Sequence, residues 1–97
     1  MDFGLASDLA QPIAGGTRYL NGSTSQLVKT GGGSIVGIHV NSSSAGTIKL
    51  WDNTSAAGAV LVNTYSALVG WNPIPFTFRT GLYITVGGTI DYTVSFN

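Results

Sequence analysis

The chain contains no cysteine, so no disulfide braces it and no thiolate is available to a metal or to nucleophilic chemistry. Charge is nearly as scarce: charged residues make up 8% of the sequence, against about 25% in ordinary soluble domains. Four basic residues balance four acidic ones, which leaves no electrostatic footprint for nucleic acid. There is a single histidine, His39, and no nucleophile and orienting acid accompany it in sequence. Beyond the first sixteen residues the only acids are Asp52 and Asp91. They are too few for a calcium loop, and nothing places them together as a glycosidase pair. No apolar run approaches the roughly 18 residues of a membrane span. No basic segment followed by an apolar stretch opens the chain, so no secretory signal is expected. These absences predict a protein that is not an enzyme, with no cofactor, no metal, no nucleic-acid partner and no membrane partner.

In place of ions the sequence carries Ser, Thr, Asn and Gly, set among apolar residues that total 43%. That much apolar content in clean alternation predicts a folded chain rather than a disordered one. Short neutral side chains cost little to desolvate, and a net charge of zero favours association. The composition therefore predicts a surface that lies against other subunits in the working state.

A length of 97 residues allows one domain. Residues 1–16 read as an N-terminal arm and residues 17–97 as a single β-domain. In the arm Phe3, Leu5, Leu9 and Ile13 are apolar, while Pro12, Gly15 and Gly16 stop any helix early. Two readings stand for it: an undocked terminus, or a segment whose apolar residues dock on a neighbouring subunit.

Residues 17–21 and 26–30 are short strand candidates, and Gly31, Gly32 and Gly33 end the second. No Gly-Lys-Ser/Thr follows those glycines, so they are not a phosphate loop. Residues 34–41 alternate, with Val36, Ile38 and Val40 on one face and Ile35, Gly37 and His39 on the other. Residues 42–46 read as a turn into a strand over 47–52. Matching the apolar faces puts Val40 opposite Ile48 and Ile38 opposite Leu50. The other face then sets His39 beside Lys49 and lays Trp51 across Gly37. Residues 52–58 form a second turn, with Asp52 and Asn53 bonding their own downstream backbone. Val60, Leu61 and Val62 make a continuous apolar run, which predicts cover on both faces. Pro73 and Pro75 confine residues 71–75 to an edge, because proline donates nothing to a ladder.

The final stretch, residues 81–96, has the clearest pattern. Leu82, Ile84, Val86, Ile90, Tyr92, Val94 and Phe96 share one parity. Gly87-Gly88 interrupts them as a turn signal. A loop of odd length pairs Val86 with Ile90 and Ile84 with Tyr92. Alternatively, the two halves belong to facing sheets and do not pair with each other. The sum is an all-β fold, a small antiparallel β-sandwich, jelly-roll-like, of about seven or eight strands. Trp51, Trp71, Tyr19, Tyr65 and Tyr83 either form a sugar-stacking platform or serve the core and a subunit interface. The candidate interface residues are Phe3, Leu5, Leu9, Ile13, Trp51, Trp71 and Tyr83.

From Gly33 onward three motifs stand out: Gly46-Thr47-Ile48-Lys49-Leu50-Trp51-Asp52-Asn53-Thr54, then Trp71-Asn72-Pro73, then Gly81-Leu82-Tyr83-Ile84-Thr85-Val86-Gly87-Gly88-Thr89. In these the chain resembles a group of small bacteriophage structural proteins. The resemblance implies a virion component, assembled in the host cytoplasm: a β-sandwich that decorates or cements the capsid as a homo-oligomer, with a trimer favoured. The partner it implies is the major capsid protein or another virion protein. The alternative is a tail, neck or head-fibre component, including a receptor- or glycan-binding module. The motifs carry no catalytic signature, and no site residues transfer with them.

Overall fold

The computed structural model describes residues 18–97. The arm residues Phe3, Leu5, Leu9 and Ile13 lie outside the described residues. The described chain is all-β: a single antiparallel sheet of six strands, rather than seven or eight. These are β1 (Arg18–Gly22), β2 (Gln26–Thr30), β3 (Gly33–Trp51), β4 (Val60–Ser66), β5 (Gly70–Phe78) and β6 (Gly81–Phe96).

Two long strands, β3 with 19 residues and β6 with 16, pair along almost their whole length and form the spine of the molecule. Each outer edge of this spine is covered by two short strands in succession. Along β6, β1 pairs with residues 92–96 and β2 with residues 81–84. Along β3, β5 pairs with residues 33–40 and β4 with residues 47–51. The sheet thus has two four-stranded arms. The first is β1, the end of β6, the start of β3, and β5. The second is β2, the start of β6, the end of β3, and β4.

The arms meet at a crease formed by residues 22–25, 42–46, 67–70 and 86–89, and all but the third of these stretches are rich in small residues. Three β-bulges put three extra residues into β3 relative to β6, at Ile35/Gly37, Val40/Ser42 and Ser44/Thr47. A bulge bends its strand and increases its twist. The two in the middle, together with Ala45 at φ 54° and Gly88 at φ 69°, bend the spine at the crease. The edges are tied there too: Ala67 N–H donates to Gly46 O (2.9 Å), and Val86 N–H donates to Ser25 Oγ (3.0 Å).

The inner face of the spine is a row of apolar partners: Ile35 with Phe96, Ile38 with Val94, Val40 with Tyr92, Ile48 with Val86, and Leu50 with Ile84. Together with Ile74, Phe78, Leu82 and Ile90 they make one core drawn from both arms. No helix is present among the described residues, so this core is built from strands alone. Each fully buried aliphatic side chain contributes about 1.5–3 kcal/mol. A one-residue slip of β6 against β3 would turn this row outward. The loss would match the whole net stability of a typical domain, about 5–15 kcal/mol, which pins the register.

Several pairings differ from those expected. Gly87-Gly88 is not a turn: β6 continues through it, and its halves pair with β3 instead of with each other. Residues 42–46 are likewise interior to β3, so Val40 faces Tyr92 instead of Ile48, and Ile38 faces Val94 instead of Leu50. His39 lies between Thr93 and Trp71, far along the strand from Lys49. The ring over Gly37 belongs to Trp71, not Trp51. Asn53 caps its own loop, with Nδ2 donating to Ala57 O (2.7 Å). Asp52 instead accepts from the distant Arg79 and Thr80 N–H groups, at 2.9 Å each to Oδ1. The prolines do lie on an edge strand, since β5 pairs only with β3. The run Val60, Leu61, Val62 is not covered on both faces by the described residues: Leu61 and Val62 pack against the core, whereas Val60 is exposed.

Candidate functional surfaces

Among the described residues no pocket forms, and no three metal-ligating side chains gather. The alternation that buries one face of each arm presents the other, and the two outer faces differ sharply in chemistry.

The outer face of the second arm carries an apolar belt. Leu27 on β2 pairs with Tyr83 on β6, Tyr83 with Trp51 on β3, and Trp51 with Val60 on β4. Direct partners share a face, so the four side chains run as one row across all four lanes. Leu27 and Val60, at its ends, are each 41% exposed. Trp51 is held flat: Lys49 Nζ stands 4.3 Å from its ring centroid, and its Nε1–H donates to Thr85 Oγ (3.3 Å). A cation over an indole face contributes about 0.5–1 kcal/mol at an exposed site. Two of the predicted interface residues, Trp51 and Tyr83, are thus brought into direct partnership.

The third, Trp71, lies on the other arm. Its ring covers Gly37 on the outer face, and it remains 51% exposed. Tyr19, on the opposite edge strand β1, is 77% exposed. Beside them sits a polar network. Asn21 Nδ2 donates to Asp91 Oδ1 (3.0 Å) and Thr93 Oγ (3.2 Å), and Asn41 Nδ2 donates to the same two atoms (3.3 Å each). Asn41 Oδ1 in turn accepts from His39 Nδ1 (3.1 Å), which places the proton on that ring nitrogen. Asn21, Asn41, Asp91 and Thr93 were not grouped by sequence reading. They were findable, since all four hold the outward parity of their strands, but a hairpin at residues 42–46 would have sent Asn41 away from β6.

A third feature is the β4–β5 connection at the crease. Leu68 and Val69 are 71% and 66% exposed, and Asn72 Nδ2 fixes their loop by donating to Leu68 O (2.9 Å) and Gly70 O (3.0 Å). Tyr65, by contrast, contributes to no outer platform: it packs against the core, and burial pushes its phenol pKa up.

Comparison with family models, with curated proteins and with solved structures finds no match to this chain.

Proposed function

We propose that the protein is a structural assembly subunit that works by lying against other protein, and that its setting is a phage virion. The observation that carries this reading is the belt Leu27–Tyr83–Trp51–Val60, an apolar row crossing all four lanes of the second arm in a chain with almost no charge. Aromatic residues anchor protein interfaces, and the one ion set against the belt, the Lys49 ammonium, already rests on the Trp51 ring. The motif resemblance supplies the setting: a decoration or cement protein, self-associated as a trimer and seated on the major capsid protein. As fold detail we propose a β-sandwich with jelly-roll character, its two arms facing each other. The single core shared by both arms and a least dimension of 18 Å support that arrangement.

Size-exclusion chromatography with light scattering tests the reading. The full chain is expected to elute as a concentration-dependent oligomer, and to bind purified phage shells with little salt dependence. The double variant Leu27→Glu, Val60→Glu is expected to be a folded monomer. A wild-type chain that stays monomeric at high concentration and leaves shells unbound overturns it.

A further inference from the structure

The polar outer face of the first arm has the makings of a second site, separate from the belt. We propose that this face binds a neutral polysaccharide chain, with Trp71 and Tyr19 stacking on two sugar rings while Asp91, Asn21 and Thr93 read hydroxyl groups alongside them.

Tyr19 pairs with Ser95, and Ser95 with Gly37, over which the Trp71 ring lies. Tyr19 and the indole therefore sit on one transverse row, two lanes apart, or about 10 Å at the usual strand spacing. Aromatic faces this exposed offer broad contact at low entropy cost to a partner with planar C–H faces, which pyranose rings have. The neighbouring row, which includes the Trp71 backbone, holds Asn21, Thr93 and His39.

Polar chemistry narrows the class. Asp91 Oδ1 and Thr93 Oγ are each held by both asparagines, so they are fixed before any ligand arrives. No protein donor among the described residues takes Asp91 Oδ2. A carboxylate fixed in this way suits a partner rich in hydroxyl donors, because charge-assisted bonds are the stronger kind. The same carboxylate disfavours phosphate and acidic sugars, and no cluster of basic residues offsets it, which excludes nucleic acid. The lack of a pocket among the described residues disfavours a small ligand, which needs burial on several sides. A polymer that spreads its contacts along a flat face has no such need. A peptide strand would add to a sheet edge, but at the β5 edge Pro73 and Pro75 lack the N–H donors it would use.

Affinity electrophoresis of the full chain in native gels tests the proposal, using hydroxyethylcellulose, xyloglucan, galactomannan and dextran as neutral probes and polygalacturonate as the acidic one. Retardation by at least one neutral polymer is expected, with none by polygalacturonate. Tyr19→Ala and Asp91→Ala should each weaken the retained interaction about tenfold or more, which is about 1.4 kcal/mol. Trp71→Ala should abolish it. Because Trp71 covers Gly37, folding of that variant is checked by circular dichroism, and the exposed Tyr19 supplies a variant without that complication. The belt variant Leu27→Glu, Val60→Glu should bind polymer normally, which separates this site from the assembly surface. No retardation by any neutral polymer, or retardation unchanged in Tyr19→Ala and Asp91→Ala, overturns it.

Discussion

The indole of Trp71 lies on Gly37, where a β-carbon would stand 2.6 Å from Trp71 Cη2 and 2.6 Å from Asn72 O. The ring shields backbone that a larger residue would have covered itself. Gly37→Ala must therefore displace both the ring and the β5 backbone, and overpacking of this kind costs about 1–3 kcal/mol. Denaturant unfolding should show that loss, and Trp71 emission should shift to the red as its ring lifts into water. A Gly37→Ala chain with wild-type stability and emission would refute the contact.

Gly88 and Ala45 oppose each other at the crease, both with positive φ. A β-carbon on Gly88 would collide with the Ala45 carbonyl group. Gly88→Ala should accordingly destabilise, since both the left-handed backbone and the close approach exclude a side chain. Ala45→Gly should do the reverse. A left-handed residue with a β-carbon pays about 1–2 kcal/mol, and the entropy glycine adds to the unfolded chain takes back part of the gain. The expected net is a rise of about 0.5 kcal/mol in unfolding free energy. Opposite signs for the two variants are the result to look for, and equal losses would contradict this geometry.

The same crease shows what the sequence made legible. Leu82 to Phe96 keep one parity across Gly87-Gly88, as an unbroken strand requires, whereas a hairpin needed an odd-length loop. The glycines read as a turn because glycine marks tight turns and close backbone approach alike. What separates the two meanings is the facing Ala45, forty-odd residues away and invisible to a local window. Likewise, the short side chains of residues 42–46 fit a bulged strand as well as a loop. The inward set of β6 and the edge position of the prolines were legible because they follow from period and from the missing N–H. That an aromatic covers Gly37 was legible in kind, but the identity of the ring depended on which strand lies alongside. The aromatics were readable as surface candidates one at a time. Their division into an apolar belt and a polar, aromatic-flanked face was not, because it is set by long-range register.

Asp52 links stability to pH. Its carboxylate accepts the Thr80 N–H (2.9 Å) and the Arg79 N–H (2.9 and 3.1 Å), and these bonds, the Thr80 one foremost, hold its pKa below the ordinary value of 3.8. A folded-state pKa below the unfolded one adds stability that is complete above the unfolded pKa. That stability is lost as pH falls through the folded value. Asp52→Ala should cost about 1 kcal/mol near neutrality, less than a buried charged bond because solvent screens this one. The gap between variant and wild type should close below the ordinary carboxylate range. A gap that stays constant with acidification would mean that the ionised carboxylate is not what holds the β5–β6 connection.

Two core tyrosines should respond to the same substitution with opposite sign. Tyr92 is fully buried, and its hydroxyl donates to Thr24 O (2.5 Å) while accepting from Gln26 Nε2 (2.9 Å). That hydroxyl ties the β1–β2 lane to the core, so Tyr92→Phe leaves a carbonyl and an amide without their partner. The expected cost is about 1–3 kcal/mol. Tyr65 carries an equally buried hydroxyl that bonds no protein atom among the described residues. Removing it relieves a desolvation cost and breaks nothing, so Tyr65→Phe should leave stability unchanged or raise it by up to about 1 kcal/mol. Paired denaturant curves decide the matter. Destabilisation by Tyr65→Phe as large as that by Tyr92→Phe would mean that the Tyr65 hydroxyl has a bonding partner after all.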